Sequence, residues 1–294
     1  MHKPNFLIIG AMKAGTTIVY DALEQHPEIY VSKVKEPHFF SQGKEAEAMV
    51  SLEGDTCYTT DYATYLQLFA DVQQQKAIGE ASTSYLHVPG TAQRIQHRLP
   101  DVKLICILRN PVARAYSHYL YLFRQGVEPL ADFAAALARE EERIADHAGF
   151  GWYTRIGLYS QHLQAYFAHF PQTRIRVYLF DDLIANQEAF YVDLYRYLNV
   201  SDTFRPDTSI TRNPSGIPKN WWLNNLISKP NPVRDFLQPR LPRVLYRLGT
   251  SIRDRNLSKP TMPAEVRQAL IAYYRPEIDR LQHLLNRNLA SWLE

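Results

Sequence analysis

Short apolar runs alternate with stretches of helical periodicity over the first 200 residues of this chain. One run, at 6–10, precedes a predicted helix over 16–24, and the clearest run, at 102–108, precedes a predicted helix over 112–123. Parallel strands require such crossovers, because the chain must return to the same end of the sheet before it can pair again. The alternation therefore predicts an α/β fold with a central, mainly parallel sheet of about five strands flanked by helices in three layers.

The other predicted elements follow the same periodicities until the pattern changes near residue 200. Further strands are predicted over 29–31, 76–80 and 174–180, and further helices over 129–146, 158–169, 187–198 and 264–289. Beyond residue 200 prolines recur and no strand is predicted, because proline removes a donor from a strand ladder. We therefore predict one domain over 1–294, with a core at about 5–200 and a C-terminal extension over about 201–294 that returns to helix.

Charge, cysteine content and hydropathy narrow the class of protein. A net charge of +3 suits an anionic ligand without demanding nucleic acid. The two cysteines predict neither a disulfide framework nor a metal site, and Cys106, inside an apolar run, is expected to be a buried thiol. No apolar stretch has the length of a membrane span, and the N-terminus shows no signal-peptide pattern. These features predict a cytoplasmic protein with no membrane span.

A glycine-containing loop follows the first predicted strand and opens the first predicted helix. Its sequence is Lys13-Ala14-Gly15-Thr16-Thr17. Backbone N–H groups at a helix N-terminus bind anions, glycine allows close approach, and lysine and threonine add charge and donors. The loop is neither a Walker A motif, whose lysine follows the second glycine, nor a dinucleotide fingerprint, which needs three glycines. It predicts a P-loop-like phosphate cradle of a different type.

A second motif follows the clearest predicted strand. Arg109 stands at the carboxyl end of that strand, where parallel sheets place their ligand contacts. Pro111 suits the first turn of the next helix, and Ser117 lies two helical turns further along. An arginine fork together with a hydroxyl is suited to binding a phosphate monoester.

These motifs together resemble the family of sulfotransferases that use 3′-phosphoadenosine 5′-phosphosulfate (PAPS), especially its bacterial members and the heparan sulfate sulfotransferases. The loop at 13–17 matches the family's Lys-x-Gly-Thr-Thr pattern, and 109–117 matches Arg-x-Pro-x-x-Arg-x-x-Ser. Two further matches are Lys-Glu-Pro-His-Phe-Phe at 35–40 and Gly-Glu-Ala-Ser-Thr-Ser-Tyr at 79–85. The motifs keep the family's order and spacing over about 5–200, whereas the C-terminal third matches only loosely.

The resemblance implies a reaction and a role for each motif. The activity would be transfer of the sulfuryl group from PAPS to an acceptor hydroxyl, leaving 3′-phosphoadenosine 5′-phosphate (PAP), with no metal. The loop would hold the 5′-phosphosulfate, with Lys13 stabilising the leaving phosphate, while Arg109 and Ser117 would hold the 3′-phosphate. Glu36 occupies the position of the general base in heparan-type enzymes. His38 is the alternative base, because a histidine does this work in cytosolic members.

The resemblance also assigns a covering loop and exposes one departure. Arg212, Gly216 and Lys219 lie where the family closes a segment over the nucleotide, and cations and a glycine suit that place. Heparan-type enzymes often carry an active-site lysine in the fourth motif, where this chain has Ala81. The departure favours the bacterial branch that uses small acceptors, and it leaves Glu80 as a structural rather than a catalytic candidate.

Three other functions are open to a chain of this pattern. A nucleotide-dependent kinase would need a Walker lysine and magnesium ligands, and a non-catalytic nucleotide- or glycan-binding module would need no base. Nucleic-acid binding would use the basic segment 229–259, although a solvated irregular segment is the favoured explanation of its charges. The acceptor is a carbohydrate, a lipid or a small metabolite with a free hydroxyl, and the pattern does not choose among them or fix an oligomeric state.

Overall fold

The computed structural model describes residues 2–42, 60–146, 150–208, 216–219, 257–258 and 260–294. Its strands are β1 (Phe6–Gly10), β2 (Ile29–Val31), β3 (Ala77–Ala81), β4 (Lys103–Leu108), β5 (Ile175–Leu179), β6 (Ile217–Pro218) and β7 (Leu257–Ser258). Its α-helices are α1 (Thr16–Leu23), α2 (Tyr62–Gln67), α3 (Thr91–Arg98), α4 (Pro111–Gln125), α5 (Phe133–Ala138), α6 (Glu140–Ala145), α7 (Tyr159–His169), α8 (Phe180–Ala185), α9 (Gln187–Leu198) and α10 (Ala264–Leu285). Short 3₁₀ turns lie at Thr83–Leu86, Arg155–Gly157, Gln172–Arg174 and Ala290–Leu293.

Five parallel strands form the central sheet in the order β2-β3-β1-β4-β5. The central strand is β1, in which Ile8 pairs with Ala81 on one side and with Ile105 on the other. All five residues of β1 are buried, as expected for a strand covered by helices on both faces. The order brings the loops that follow β1, β3 and β4 to one carboxyl edge, and it confirms the predicted fold class.

Two positions in the central strands show how tightly the core packs. A Cβ atom added at Gly79 in β3 would lie 2.5 Å from the carbonyl oxygen of Phe6, so only glycine fits against β1 there. Cys106 in β4 is fully buried and free, as predicted, and burial raises the pKa of its thiol. These contacts belong to the core and place no reactive group at the sheet edge.

The predicted helix over 129–146 is wrong as a single element, because the chain breaks into α5 and α6 at Arg139. The side chain of Asp132 caps the first of these helices. The buried carboxylate of Glu140, at the start of the second, accepts hydrogen bonds from the backbone N–H groups of Thr154 and Arg155. Those tertiary bonds fix the second helix in its own direction, which helical periodicity alone does not reveal.

The described part of the C-terminal extension contains a long helix, as predicted, and also a short strand pair. Helix α10 ends at Leu285, before Asn286 in the left-handed conformation, rather than at 289. It packs on α7, where Glu277 accepts hydrogen bonds from the backbone N–H and the hydroxyl of Ser160. Strands β6 and β7 pair antiparallel, an element that the proline-rich sequence did not predict.

Candidate active site

The loop predicted to bind phosphate connects β1 to α1 at the centre of the carboxyl edge. Lys13 has a φ of +64°, and Gly15, with a φ of +91°, is the N-cap of α1. Gly15 has no side chain that could cap the helix, so the cap itself leaves the first N–H groups of α1 to other acceptors. Ala14 and Thr16 are buried in the loop, and Thr17 is partly exposed. This arrangement, with free N–H groups at a helix start, is the geometry expected of an anion cradle.

Gly15 is required by its neighbour as well as by its conformation. A Cβ atom at this position would lie 2.8 Å from the ring of Phe180, the first residue of α8. The guanidinium carbon of Arg109 lies 4.9 Å from the centroid of the same ring. Phe180 therefore packs against both the phosphate loop and Arg109, the residue predicted to bind the 3′-phosphate. Sequence reasoning missed it, because no local motif marks it.

The structure brings Arg109 directly to the phosphate loop. Its Nη1 donates to the carbonyl oxygen of Lys13 at 3.1 Å, and the hydroxyl of Tyr159 donates to the carbonyl oxygen of Arg109 at 2.9 Å. Burial lowers the pKa of the Arg109 side chain from its ordinary high value, although an arginine stays charged at physiological pH. The first and second motifs thus form one cationic site.

Helix α4 supplies the other wall of this cationic site. Its inner face carries Ser117 and His118, which are both nearly inaccessible, and Arg114, which is fully buried and donates to the carbonyl oxygen of Tyr153. The ammonium group of Lys13 lies 4.4 Å from the ring centroid of Tyr121, one helical turn beyond Ser117. The structure therefore places Lys13, Arg109 and α4 around one space at the sheet edge.

Glu36 lies beside the 3₁₀ turn that follows β3. Its carboxylate accepts a hydrogen bond from the backbone N–H of Thr83 at 2.6 Å and pairs with the ammonium group of Lys35 at 2.7 Å. Burial tends to raise the pKa of this carboxyl, but Lys35, His38 and the hydrogen bonds outweigh that effect and hold the pKa below its usual range. Glu36 is therefore ionised at neutral pH and can accept a proton.

His38 lies next to Glu36 and is held from two sides. Its Nδ1 is 2.6 Å from the hydroxyl oxygen of Ser84, its backbone N–H donates to the hydroxyl of Ser82, and its Nε2 is 3.8 Å from a carboxylate oxygen of Glu36. Glu36 and His38 have φ values of +58° and +54°, a left-handed conformation that is unfavourable for residues other than glycine. The fold thus maintains a strained loop that sets the two predicted bases side by side.

Glu80 of the fourth motif supports this loop from within the core. It is fully buried, and it accepts hydrogen bonds from the hydroxyls of Ser82 at 2.9 Å and Tyr65 at 3.3 Å. Burial raises the pKa of its carboxyl to about 7. Because Ser82 also holds the backbone of His38, Glu80 contributes to the site through positioning, in line with the structural role considered for it.

Strand pairing connects the Glu36 loop to the phosphate loop. Strand β3 lies beside β1, and the backbone N–H of Ser82 donates to the carbonyl oxygen of Ile8 at 3.1 Å. Leu86, at the end of the 3₁₀ turn, would be only 2.8 Å from a Cβ atom at Gly10. The predicted bases and the cationic site therefore occupy neighbouring positions on the same edge.

The predicted covering loop is described in part. Arg212 lies outside the described residues, while Gly216 is buried and Lys219 is exposed on either side of β6. Strand β6 lies against α4, the helix that carries Ser117. This part of the chain therefore contacts the helix wall of the cationic site, and its role over the nucleotide stays a prediction. The basic segment 229–259 falls almost entirely outside the described residues.

A helix N-terminus suited to anions, with a carboxylate and an imidazole side by side in the loop after β2, fits a group-transfer enzyme of the α/β class with an anionic donor. Comparison with known proteins identifies the family: the model described as "Sulfotransferase family" matches residues 4–204. The chain therefore belongs to the sulfotransferase family. A solved sulfotransferase from Alicyclobacillus acidocaldarius is similar over the full length of both chains, with 32% identity and a TM-score of 0.76.

Curated relatives are similar over part of their length. Human heparan sulfate glucosamine 3-O-sulfotransferase 6 is 33% identical over 168 residues, which are 57% of this chain and 44% of that protein. Membrane-associated sulfotransferase kil1 of Dictyostelium discoideum is 35% identical over 150 residues, or 49% of this chain and 29% of that protein. The chain thus matches less than half the length of these two relatives.

The comparisons confirm the family resemblance and, at the level of the family, the enzyme class. They support PAPS as the sulfuryl donor, and they favour a sulfotransferase over the kinase and over the non-catalytic module. The roles of the individual site residues stay predictions, as does the division into one domain. Among the described residues no helix has the length and apolar character needed to cross a membrane. The described part of the chain also contains no cluster of three or more side chains arranged to hold a metal ion.

Proposed function

We propose that the protein transfers the sulfuryl group of PAPS to the hydroxyl of an acceptor. One observation carries the proposal: the Lys13–Arg109 contact and the Glu36–Thr83 contact lie at the ends of neighbouring strands, so a cationic donor site faces a carboxylate. The residues fit a donor with two anionic groups. The helix N-terminus and Lys13 suit the 5′-phosphosulfate, while Arg109 and Ser117 suit the 3′-phosphate.

The proposed reaction is an in-line displacement at sulfur. A bond forms between the acceptor oxygen and sulfur as the bond from sulfur to the bridging oxygen breaks, and PAP leaves with both electrons of that bond. Lys13 neutralises the charge that grows on the leaving phosphate, and the N–H groups at the start of α1 stabilise the non-bridging oxygens. Catalysis then consists of positioning and charge stabilisation, which a preorganised cradle supplies.

Glu36 receives the proton of the acceptor hydroxyl in this mechanism. Its carboxylate is ionised at neutral pH, and the backbone N–H of Thr83 fixes its direction. His38, 3.8 Å away, keeps the carboxylate in place and is the alternative base. A base of low pKa is thermodynamically weak, so positioning must supply part of its effect.

The relatives support a carbohydrate hydroxyl as the acceptor class, because their names include a heparan sulfate glucosamine 3-O-sulfotransferase and carbohydrate sulfotransferase 15. Lipid and small-metabolite hydroxyls belong to the same reaction class. We also propose that Gly216 and Lys219, with Arg212, cover the bound nucleotide, since β6 lies against the helix of Ser117. The cytoplasmic location stays a prediction.

Isothermal titration calorimetry with PAP and with ATP tests the donor assignment. We expect the protein to bind PAP more tightly than ATP, and Arg109→Ala to weaken PAP binding by about 10- to 150-fold, the equivalent of a charge-assisted hydrogen bond. Arg139→Ala is the matched control, because the exposed Arg139 precedes α6 and its only ion pair in the described structure is with Glu142 of that helix. Preference for ATP, or equal PAP affinity in the two variants, would exclude the proposal.

A further inference from the structure

A cavity on the protein surface is lined by none of the residues assigned to the sulfuryl donor. It has a volume of about 340 Å³ and opens between α3 and α7. Its inner wall includes Leu86, His87, Trp152 and Ile156, and the exposed Ala165 of α7 stands at its rim. A volume at the small end of the range for ligand pockets suits a small molecule rather than a polymer chain.

The inner wall of this cavity is built on the phosphate loop and on the 3₁₀ turn that holds Glu36. Trp152 and Ile156 pack in one hydrophobic cluster with Met12, the residue before Lys13. On the other side, the turn begins at Thr83, which binds Glu36, and ends at Leu86 in the cavity wall. The cavity therefore shares its wall with two segments of the predicted site, the one that carries Lys13 and the turn that binds Glu36.

The lining carries almost no charge. Burial lowers the pKa of His87 well below its usual value, and the nearby His162, Arg114 and His38 lower it further. Burial likewise lowers the pKa of His162 to about 4, so two of the three lining histidines, His87 and His162, are neutral at physiological pH. Within the described lining there is no lysine or carboxylate, and the one permanent cation, Arg155, is exposed at the rim.

The lining nevertheless offers a polar atom that lacks a partner. The Nε1 of Trp152 is buried without a hydrogen bond in the described part of the chain. Buried polar groups in native proteins nearly always have partners, so such atoms mark places where a ligand can complete the bonding. An indole face with neutral nitrogen donors and aliphatic neighbours suits a ring that has both an apolar face and hydroxyl groups.

We infer that this cavity binds the acceptor, and that the acceptor is an uncharged, ring-bearing hydroxyl compound rather than a polyanionic glycan. This inference rests on the proposed function, because it takes the cavity to face the sulfuryl donor. A sulfated or carboxylated polysaccharide needs clustered cations, which the described lining lacks. A phenol and an uncharged glycoside share the required chemistry, and the test separates them.

Two substitutions on the exposed surface of α7 form the matched pair for the test. Ala165→Trp places an indole in the cavity mouth, whereas Ala168→Trp adds the same group one turn away, outside the lining. Both alanines are exposed, so neither change disturbs the core. Calorimetry with PAP is measured first in all three proteins, and we expect unchanged affinity.

Saturation-transfer difference NMR then measures the binding of phenyl β-glucoside and of 4-nitrophenol to the PAP complex. We expect at least one probe to bind to the wild type and to Ala168→Trp, with affinity reduced by about tenfold or more in Ala165→Trp. Transfer of radiolabelled sulfate to that probe should exceed transfer to heparosan oligosaccharides. Binding of the glycoside alone identifies a sugar-type acceptor, and binding of 4-nitrophenol alone identifies a phenol-type acceptor.

Three results overturn the inference while leaving the proposed function intact. The first is tight PAP binding with neither probe bound, and the second is equal probe affinity in the two tryptophan variants. The third is preferential transfer of sulfate to heparosan, because that result requires a site for a polyanion elsewhere. Failure of the wild type to bind PAP instead removes the proposed function itself.

Discussion

Replacing Glu36 by glutamine is the most direct test of the proposed chemistry. The amide oxygen of glutamine can still accept the hydrogen bond from the backbone N–H of Thr83, so the strained loop keeps its main anchor. The substitution removes the negative charge that pairs with Lys35 and the group that would accept the proton. Loss of a positioned general base lowers kcat by about 10²–10⁴, equivalent to about 3–5.5 kcal/mol of activation free energy.

The pH dependence of the wild type distinguishes the two candidate bases. The pKa of Glu36 is held below its ordinary value, so a Glu36 base keeps kcat constant through neutral pH and loses activity only when the pH falls below the usual range of a carboxyl group. The contacts of this carboxylate stabilise the fold in the same range, and that stabilisation is lost on acidification. A histidine base would instead give an acid limb within about one pH unit of 6.5.

Steady-state assays with radiolabelled PAPS and calorimetry with PAP measure both parts of this prediction. We expect Glu36→Gln to bind PAP as the wild type does and to lose turnover, whereas Glu24→Gln, a change at an exposed helix end, keeps both properties. If Glu36→Gln retains turnover within about threefold while His38→Asn loses it, the acid–base assignment is reversed.

Three further outcomes follow from the site. Lys13→Ala should lower kcat by about 10²–10³ with a smaller loss of PAP affinity, because its charge acts on the leaving group; equal losses in PAPS turnover and PAP binding would contradict this role. Gly15→Ala should destabilise the fold by about 1–3 kcal/mol in urea denaturation, through its φ of +91° and its contact with Phe180; an unchanged midpoint would show that the loop relaxes. Glu80 has a folded pKa of about 7, raised above its unfolded value, so wild-type stability should fall as the pH rises from about 5 to 8, and Glu80→Gln should remove that slope.

The strands and the phosphate cradle could be predicted because their signals are local in the chain. Strand β4 is an uninterrupted apolar run, and the cradle requires only a strand, a glycine and a helix start in sequence. The contact between Glu36 and Thr83 joins residues that lie 47 positions apart, so it depends on the pairing of β2 with β3 in the sheet. Motif resemblance could place each residue at the site, but it could not show which atoms meet.

The residues that sequence reasoning missed are those that connect motifs. Phe180 enters the site from the end of β5 and touches both Gly15 and Arg109, while Tyr121 contacts Lys13 from α4. Aromatic residues are common in this chain, so neither position stands out from composition. Their importance depends on strand order and helix packing, which bring the ends of β1, β4 and β5 together.

The distribution of charge on the sheet edge suggests how the enzyme separates donor from acceptor. In the described structure Lys13 and Arg109 lie on the side of β1 and β4, whereas Lys35 pairs with Glu36 on the side of β3. The heparan-type lysine is replaced by Ala81, which is fully buried in β3 and cannot present a cation to an acceptor. An anionic molecule is therefore attracted to the donor side, whereas the cavity lined by Trp152 offers it only one permanent cation, the exposed Arg155. With the two sites distinguished by charge, PAP or PAPS would have little tendency to occupy the acceptor cavity, so high PAPS concentrations should not inhibit turnover by binding there.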